Sequence, residues 1–143
     1  MRPLALACVL LGLGACRGDR PPDEAVLTLV PTAMRATGGV APASTDPNAA
    51  CLIASGAIEA TIAVARSPVT VIVIAFTATP ATAPGIEIRV GAELVATDVI
   101  TAVAPRVLAY NVSVEPGDHV LRVSAPDLSP GILCVESVAI TQR

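Results

Sequence analysis

From Ala25 onward, apolar residues recur at every second position, and this period constrains the fold more than any other feature of the chain. Ile58, Ala60, Ile62 and Val64 alternate with Glu59, Thr61 and Ala63. Ile86, Ile88 and Val90 alternate with Glu87 and Arg89. Leu108, Tyr110, Val112 and Val114 alternate with Ala109, Asn111 and Ser113, and His119, Leu121 and Val123 with Val120, Arg122 and Ser124. Successive side chains of a strand point to opposite faces, so a period of 2 buries one face of a sheet; a helix would need 3.6. The run VTVIVIAFT, from Val69 to Thr77, is apolar at both parities and predicts a central strand covered on both faces. Ala25 to Val30, Leu94 to Thr101 and Ile132 to Thr141 complete the set. Turn signals such as Gly91-Ala92 and Pro116-Gly117-Asp118 separate the runs, and thirteen prolines are spread along the chain. The expected fold class is all-β: a β-sandwich or jelly roll of about eight to nine strands. Residues 35–56 are the least regular stretch and are expected to form a long surface loop with one short strand.

The last run carries more detail. Leu133 and Val135 share one parity and Val138 and Ile140 the other. A β-bulge near Glu136 and Ser137 would turn all four to the core and re-aim the side chain at the bulge.

Composition removes several function classes. The 143 residues fit one domain, and 53% hydrophobic residues with a formal charge of -3 do not describe a disordered chain. All nine basic residues are Arg, and there is no Trp, one Tyr and one Phe. Nucleic-acid binding needs clustered cations and stacking rings, so no nucleic-acid partner is expected. No GxSxG, HExxH, P-loop or GxGxxG motif is present. The single His, His119, follows a turn glycine with the parity of Leu121 and Val123, and reads as a half-buried structural residue rather than a general base. No catalytic residue is assigned, and the chain is expected not to be an enzyme. Tyr110 and Phe76 both read as inward-facing core rings.

The first residues have the form of a targeting signal. Arg2 is followed by thirteen uncharged residues, PLALACVLLGLGA, too few to span a bilayer core of about 30 Å as a helix. They end in Leu13-Gly14-Ala15-Cys16, which resembles the lipobox of bacterial lipoprotein signal peptides. That resemblance implies cleavage before Cys16 and acylation, including palmitate, of Cys16; an ordinary secretory signal cleaved nearby is the alternative. The organisation is then a signal peptide over 1–15, a lipidated tether over 16–24 (CRGDRPPDE) and a sandwich domain over 25–143. Acyl chains contribute about 0.8 kcal/mol per buried methylene, so the membrane is the expected partner through a lipid anchor. Arg17, where a retention signal would carry Asp, points to the outer membrane of a bacterial cell envelope.

Cys8 falls in the discarded segment and Cys16 is the lipidation site, leaving Cys51 and Cys134. In an exported chain this even pair reads as a structural disulfide, with neither CxxC spacing nor a thiolate-stabilising setting to suggest redox chemistry.

The order of features resembles galactose-binding-like β-sandwich modules, in particular the calcium-dependent xylan-binding carbohydrate modules. Gly56-Ala57-Ile58-Glu59, Pro116-Gly117-Asp118-His119 and Leu133-Cys134-Val135-Glu136 carry the likeness, which runs from about Ala25 to Thr141. It implies a galactose-binding-like sandwich and a calcium or glycan site at Asp127 and Glu136, the two acids that fall on family positions; Asp98 and Asp118 are further candidate helpers that fall on none. Departures weaken the site. Thr32 stands where the family has a first-strand Glu, and Glu136 where it has a closing-strand Asp. Calcium takes six to eight oxygens, and this set is short of them. Calcium therefore stands as a cofactor implied by resemblance alone. The functional readings that stay open are a carbohydrate-binding-module-like sandwich with weak affinity for a polysaccharide, a structural or envelope-protein-binding sandwich that has lost the sugar and calcium sites, and an accessory subunit of an envelope assembly.

Overall fold

The computed structural model describes residues 25–53, 55–79, 81–126 and 130–142. The signal segment, the tether with Cys16, and Asp127 lie outside the described residues. Eleven strands are present among them: β1 (Ala25–Leu29), β2 (Arg35–Thr37), β3 (Val40–Pro42), β4 (Ala50–Leu52), β5 (Ala57–Val64), β6 (Val69–Thr77), β7 (Gly85–Val90), β8 (Glu93–Val99), β9 (Arg106–Val112), β10 (Gly117–Ser124) and β11 (Leu133–Gln142). They form two antiparallel sheets. One has the order β3-β4-β11-β6-β9, with β1 also paired to β11, and the other β2-β5-β10-β7-β8. The all-β sandwich expected from the alternation is the fold observed. Two additional strands arise because residues 35–56 are not one long loop: β2, β3 and β4, three residues each, fall within them. Segments this short have no measurable period, which is why the sequence reads there as irregular.

The final strand organises the first sheet. β6 pairs along its whole length on one side, while β4 (opposite Leu133–Val135) and β1 (opposite Val138–Gln142) share the other side in tandem. The pairing with β6 shifts register between Val135 and Ser137, so Glu136 is the extra residue of a bulge. Leu133, Val135, Val138 and Ile140 are all buried, as the change of parity requires. They meet Val71, Val73, Ile58, Ile62, Ile86, Ile88, Leu121 and Val123 in a mainly aliphatic core, which also includes Met34 and has Tyr110 packed against it. At the end of the strand, Gln142 Oε1 accepts from the Ala65 N–H at 2.8 Å and its Nε2 donates to the Ala63 carbonyl at 2.9 Å, tying β11 to the exit of β5 in the opposite sheet.

The two outer faces differ. The second sheet carries charged pairs: Arg122 bonds Glu59 across strands at 2.7 Å, Arg89 bonds Glu87 within β7 at 2.8 Å, and Arg35 is paired opposite Glu59. On the first sheet the strands contain two charged residues, Arg106 and the bulged Glu136. Between them the outward positions of β6 and β9 are Thr70, Ile72, Ile74, Phe76, Val107, Ala109 and Asn111. This corrects the expectation for Val69 to Thr77: β6 is central, but its second apolar face is covered by no described element.

Cys51 and Cys134 are directly opposed across β4 and β11, with Cα atoms 4.0 Å apart, and form the expected disulfide. They are 83 residues apart in sequence. Closing a loop of that length restricts the unfolded chain and stabilises the fold by about 4 kcal/mol on the chain-entropy argument. Replacing both cysteines by serine should therefore lower the unfolding free energy by about 3–5 kcal/mol in urea titration with the native strand pairing retained. An unchanged midpoint would contradict this.

Candidate functional site at the bulged end of the final strand

A bulge turns a side chain out of the regular pleat, and here that residue is Glu136. It is half-buried and lines a depression of about 180 Å³ with Thr45, Asp46, Phe76, Val103 and Pro105. Thr45, Phe76 and Val103 also form a wall of an adjoining apolar groove of about 490 Å³, whose surface includes the Cys51–Cys134 disulfide, Ile53 and Ile132. The loop between β3 and β4 supplies the polar rim. In it Asp46 Oδ1 accepts from the Asn48 N–H at 2.9 Å, an Asx turn that fixes the loop over the end of the sheet.

Phe76 is the principal correction to the sequence reading. Val69, Val71, Val73, Ala75 and Thr77 are buried, so Phe76 has the opposite parity and stands on the outer face of the sheet, half-buried beside the disulfide. Strand parity could not have located the ring, because β6 is apolar on both faces. Tyr110, by contrast, turns inward as expected and packs against the core.

Of the four candidate acids, the three described ones, Glu136, Asp118 and Asp98, do not converge. Glu136 lies at the bulge. Asp118 is exposed near the start of β10, opposite Ala63 on the other sheet. Asp98, on β8, is engaged at the open side of the sandwich, where its Oδ2 accepts from the Tyr110 hydroxyl at 2.9 Å and from Arg106 Nη2 at 3.2 Å. Asp127 lies outside the described residues. The carboxylate that does stand beside Glu136 is Asp46, which sequence reasoning missed. Its signal was the turn spelling Ser44-Thr45-Asp46-Pro47-Asn48, hidden in a stretch without periodicity. Two carboxylates fall well short of a calcium shell, and among the described residues no group of three or more His, Cys, Asp or Glu side chains could hold a metal ion. The described residues therefore do not fit the ion.

A second cleft, of about 500 Å³, lies at the opposite end of the sandwich and contains Ser67, Glu93, Glu115 and His119. Its side chains are tied to backbone: the His119 Nε2 lies 2.6 Å from the Glu115 carbonyl oxygen, and the Ser67 hydroxyl accepts from the Val114 N–H at 3.2 Å. The histidine has the half-buried structural setting expected of it.

No protein-family model matches the sequence, and no curated protein matches it by sequence. Solved structures do resemble it. A carbohydrate-binding module, CBM36, in complex with calcium and xylotriose superposes with a TM-score of 0.69 at 15% identity, over 81% of this chain and 99% of that one. The CBM36-1 domain of a multidomain xylanase from the hindgut metagenome of Trinervitermes trinervoides gives 0.69 at 13%, over 82% and 96%. CsCBM6-3 from Clostridium stercorarium, in complex with cellobiose, gives 0.60 at 13%, over 82% and 94%. The chain has the fold of these modules. At such identities the likeness establishes the sandwich and leaves the ligand to the chemistry of the site.

The Asp98–Tyr110–Arg106 cluster joins the edge strand of one sheet to that of the other and has a readable pH signature. The Val99 N–H, then the Tyr110 hydroxyl and Arg106, hold the Asp98 carboxyl below its ordinary pKa against an opposing effect of burial. Burial, then the Asp98 carboxylate, raise the Tyr110 phenol above its ordinary value. A depressed acid contributes stability above its unfolded pKa of about 3.9 and loses it as pH falls through the folded value. A raised phenol contributes below its unfolded pKa of about 10 and loses it as pH rises. Urea midpoints should thus fall at both extremes, and Tyr110→Phe should weaken both dependences. A pH profile identical in wild type and Tyr110→Phe would contradict the coupling.

Proposed function

We propose that this protein is a non-catalytic, carbohydrate-binding-module-like sandwich of the bacterial cell envelope, anchored to the outer membrane through lipid on Cys16, that binds neutral glycan weakly in the Phe76 groove. The observation that carries this reading is the position of Phe76. A neutral sugar presents an apolar face and a rim of hydroxyls. An exposed aromatic ring stacks on the face, and nearby polar side chains orient the rim. Phe76 is the one phenylalanine of the chain, it stands outside the core, and Ser44, Thr45, Asp46 and Glu136 surround it with hydrogen-bonding groups. The neighbours that share the fold, crystallised with xylotriose and cellobiose, make β-linked plant polysaccharides the first ligands to test. One outward ring, with no calcium shell among the described residues, accounts for low affinity. The scattered described acids favour a second reading, a sandwich that keeps the fold and engages an envelope protein instead.

Isothermal titration with xylo- and cello-oligosaccharides, with and without calcium, separates the two. The first reading expects a Kd of roughly millimolar, insensitive to chelator and weakened about tenfold or more by Phe76→Ala, equivalent to at least about 1.4 kcal/mol. Affinity unchanged in Phe76→Ala would remove the groove from the account. No heat with any glycan at millimolar ligand would leave the protein-interaction reading.

A further inference from the structure

We infer that the uncharged outer face of the first sheet rests on the surface of a lipid bilayer. This inference rests on the proposed lipid anchor at Cys16 and adds an orientation to it. The first argument is the contrast between the two faces. Strands β2, β5, β7, β8 and β10 carry eight Asp, Glu or Arg residues, whereas β1, β3, β4, β6, β9 and β11 carry two. Of those two, Arg106 is turned to Asp98 at the sandwich edge and Glu136 lies at the groove end. Between them, Ile72, Ile74, Val107 and Ala109 form a continuous apolar surface, with Val26 and Ala139 beyond it on β1 and β11. Val26 and Val107 are each 63% exposed. Contiguous exposed apolar surface of this kind marks a contact site, whereas apolar residues scattered singly do not.

The second argument is where the chain leaves the domain. Residues 17–24 separate Cys16 from Ala25, and eight residues reach at most about 28 Å when fully extended. The strand they lead into, β1, belongs to the uncharged sheet and lies against the far half of β11. A tether this short holds that end of the sheet at the membrane. A surface with aliphatic side chains, threonine and asparagine hydroxyls and amides, and no charge to desolvate is chemically matched to the zwitterionic headgroup–acyl boundary. The charged pairs then face water. Phe76 lies two residues along β6 from Ile74, about 7 Å beyond the Ile74–Val107 row and away from the end where β1 enters.

The test uses the processed, full-length protein reconstituted on phosphatidylcholine vesicles. Single cysteines at Val107→Cys and Val26→Cys on this face, and at Val120→Cys and Thr61→Cys on the charged sheet, are labelled with a polarity-sensitive fluorophore without reducing the native disulfide. Spin-labelled lipids should quench the first pair several-fold more than the second. Equal quenching at all four sites, or none at Val107 and Val26, overturns the inference. Flotation of wild type against Cys16→Ser tests the anchor separately. If the chain is not lipidated, the same probes are read with vesicles at millimolar lipid, and a Val107 response no greater than that of Val120 overturns the inference there too. Protection of Val107 that grows with protein concentration in the absence of lipid would assign the face to a second copy and equally overturn it.

Discussion

The bulge at Glu136 is the constraint on which the rest of the sandwich depends. β11 pairs along the whole of β6 on one side and with both β1 and β4 on the other, so its register fixes the centre of the first sheet. Without an extra residue, a ten-residue strand cannot direct Leu133 and Val135 as well as Val138 and Ile140 to one face, because the side-chain period is 2. The bulge resolves that conflict at one position. All four aliphatic side chains then enter the core, and the odd residue is left as a carboxylate at the mouth of the groove. Fold and site therefore share a single backbone irregularity. The disulfide, one residue from Leu133, and Gln142, at the other end of the strand, hold β11 at both ends.

Much of this was legible in the sequence, for identifiable reasons. Alternation at Ile58–Val64, Ile86–Val90 and Leu121–Val123 reports burial on one face, and those strands lie as expected. The parity change between Val135 and Val138 announced the bulge, and Cys51 and Cys134, the pair outside the expected signal segment and lipidation site, announced the cross-strand bridge. What stayed hidden lacked a local signal. The outward direction of Phe76 could not be read because Ile72 and Ile74 make both faces of β6 apolar. β2, β3 and β4 are too short to show a period, so the loop that carries Ser44, Thr45 and Asp46 was not recognised as part of a site. The engagement of Asp98 with Tyr110 and Arg106 crosses from one sheet to the other, a relation no sequence spacing encodes.

The site that results differs in kind from the one the family resemblance suggested. That expectation placed a cation near Asp127 and Glu136 and counted the aromatic rings as core. In the fold, the described acids are dispersed over both sheets, Asp127 lies outside the described residues, and Phe76 stands half-buried on the outer face. An aromatic face with hydroxyl and carboxylate neighbours can orient a neutral sugar without a metal, at the cost of affinity. The same outer face carries the uncharged Ile72, Ile74, Val107 and Ala109 beside the groove. The second sheet instead carries Arg–Glu pairs on its outer face.

The central claim is that one extra residue in β11 sets the fold. Deleting Glu136 tests it most directly, with Glu136→Ala as the control that keeps the residue count. The account predicts that the deletion turns two of the four aliphatic side chains out of the core, at about 1.5–3 kcal/mol each. That loss is comparable to the stability of a typical domain, about 5–15 kcal/mol. Urea denaturation followed by far-ultraviolet circular dichroism should show a cooperative transition near the wild-type midpoint for Glu136→Ala and a transition that is lost or strongly lowered for the deletion. A deletion variant that unfolds cooperatively at the wild-type midpoint would contradict the account.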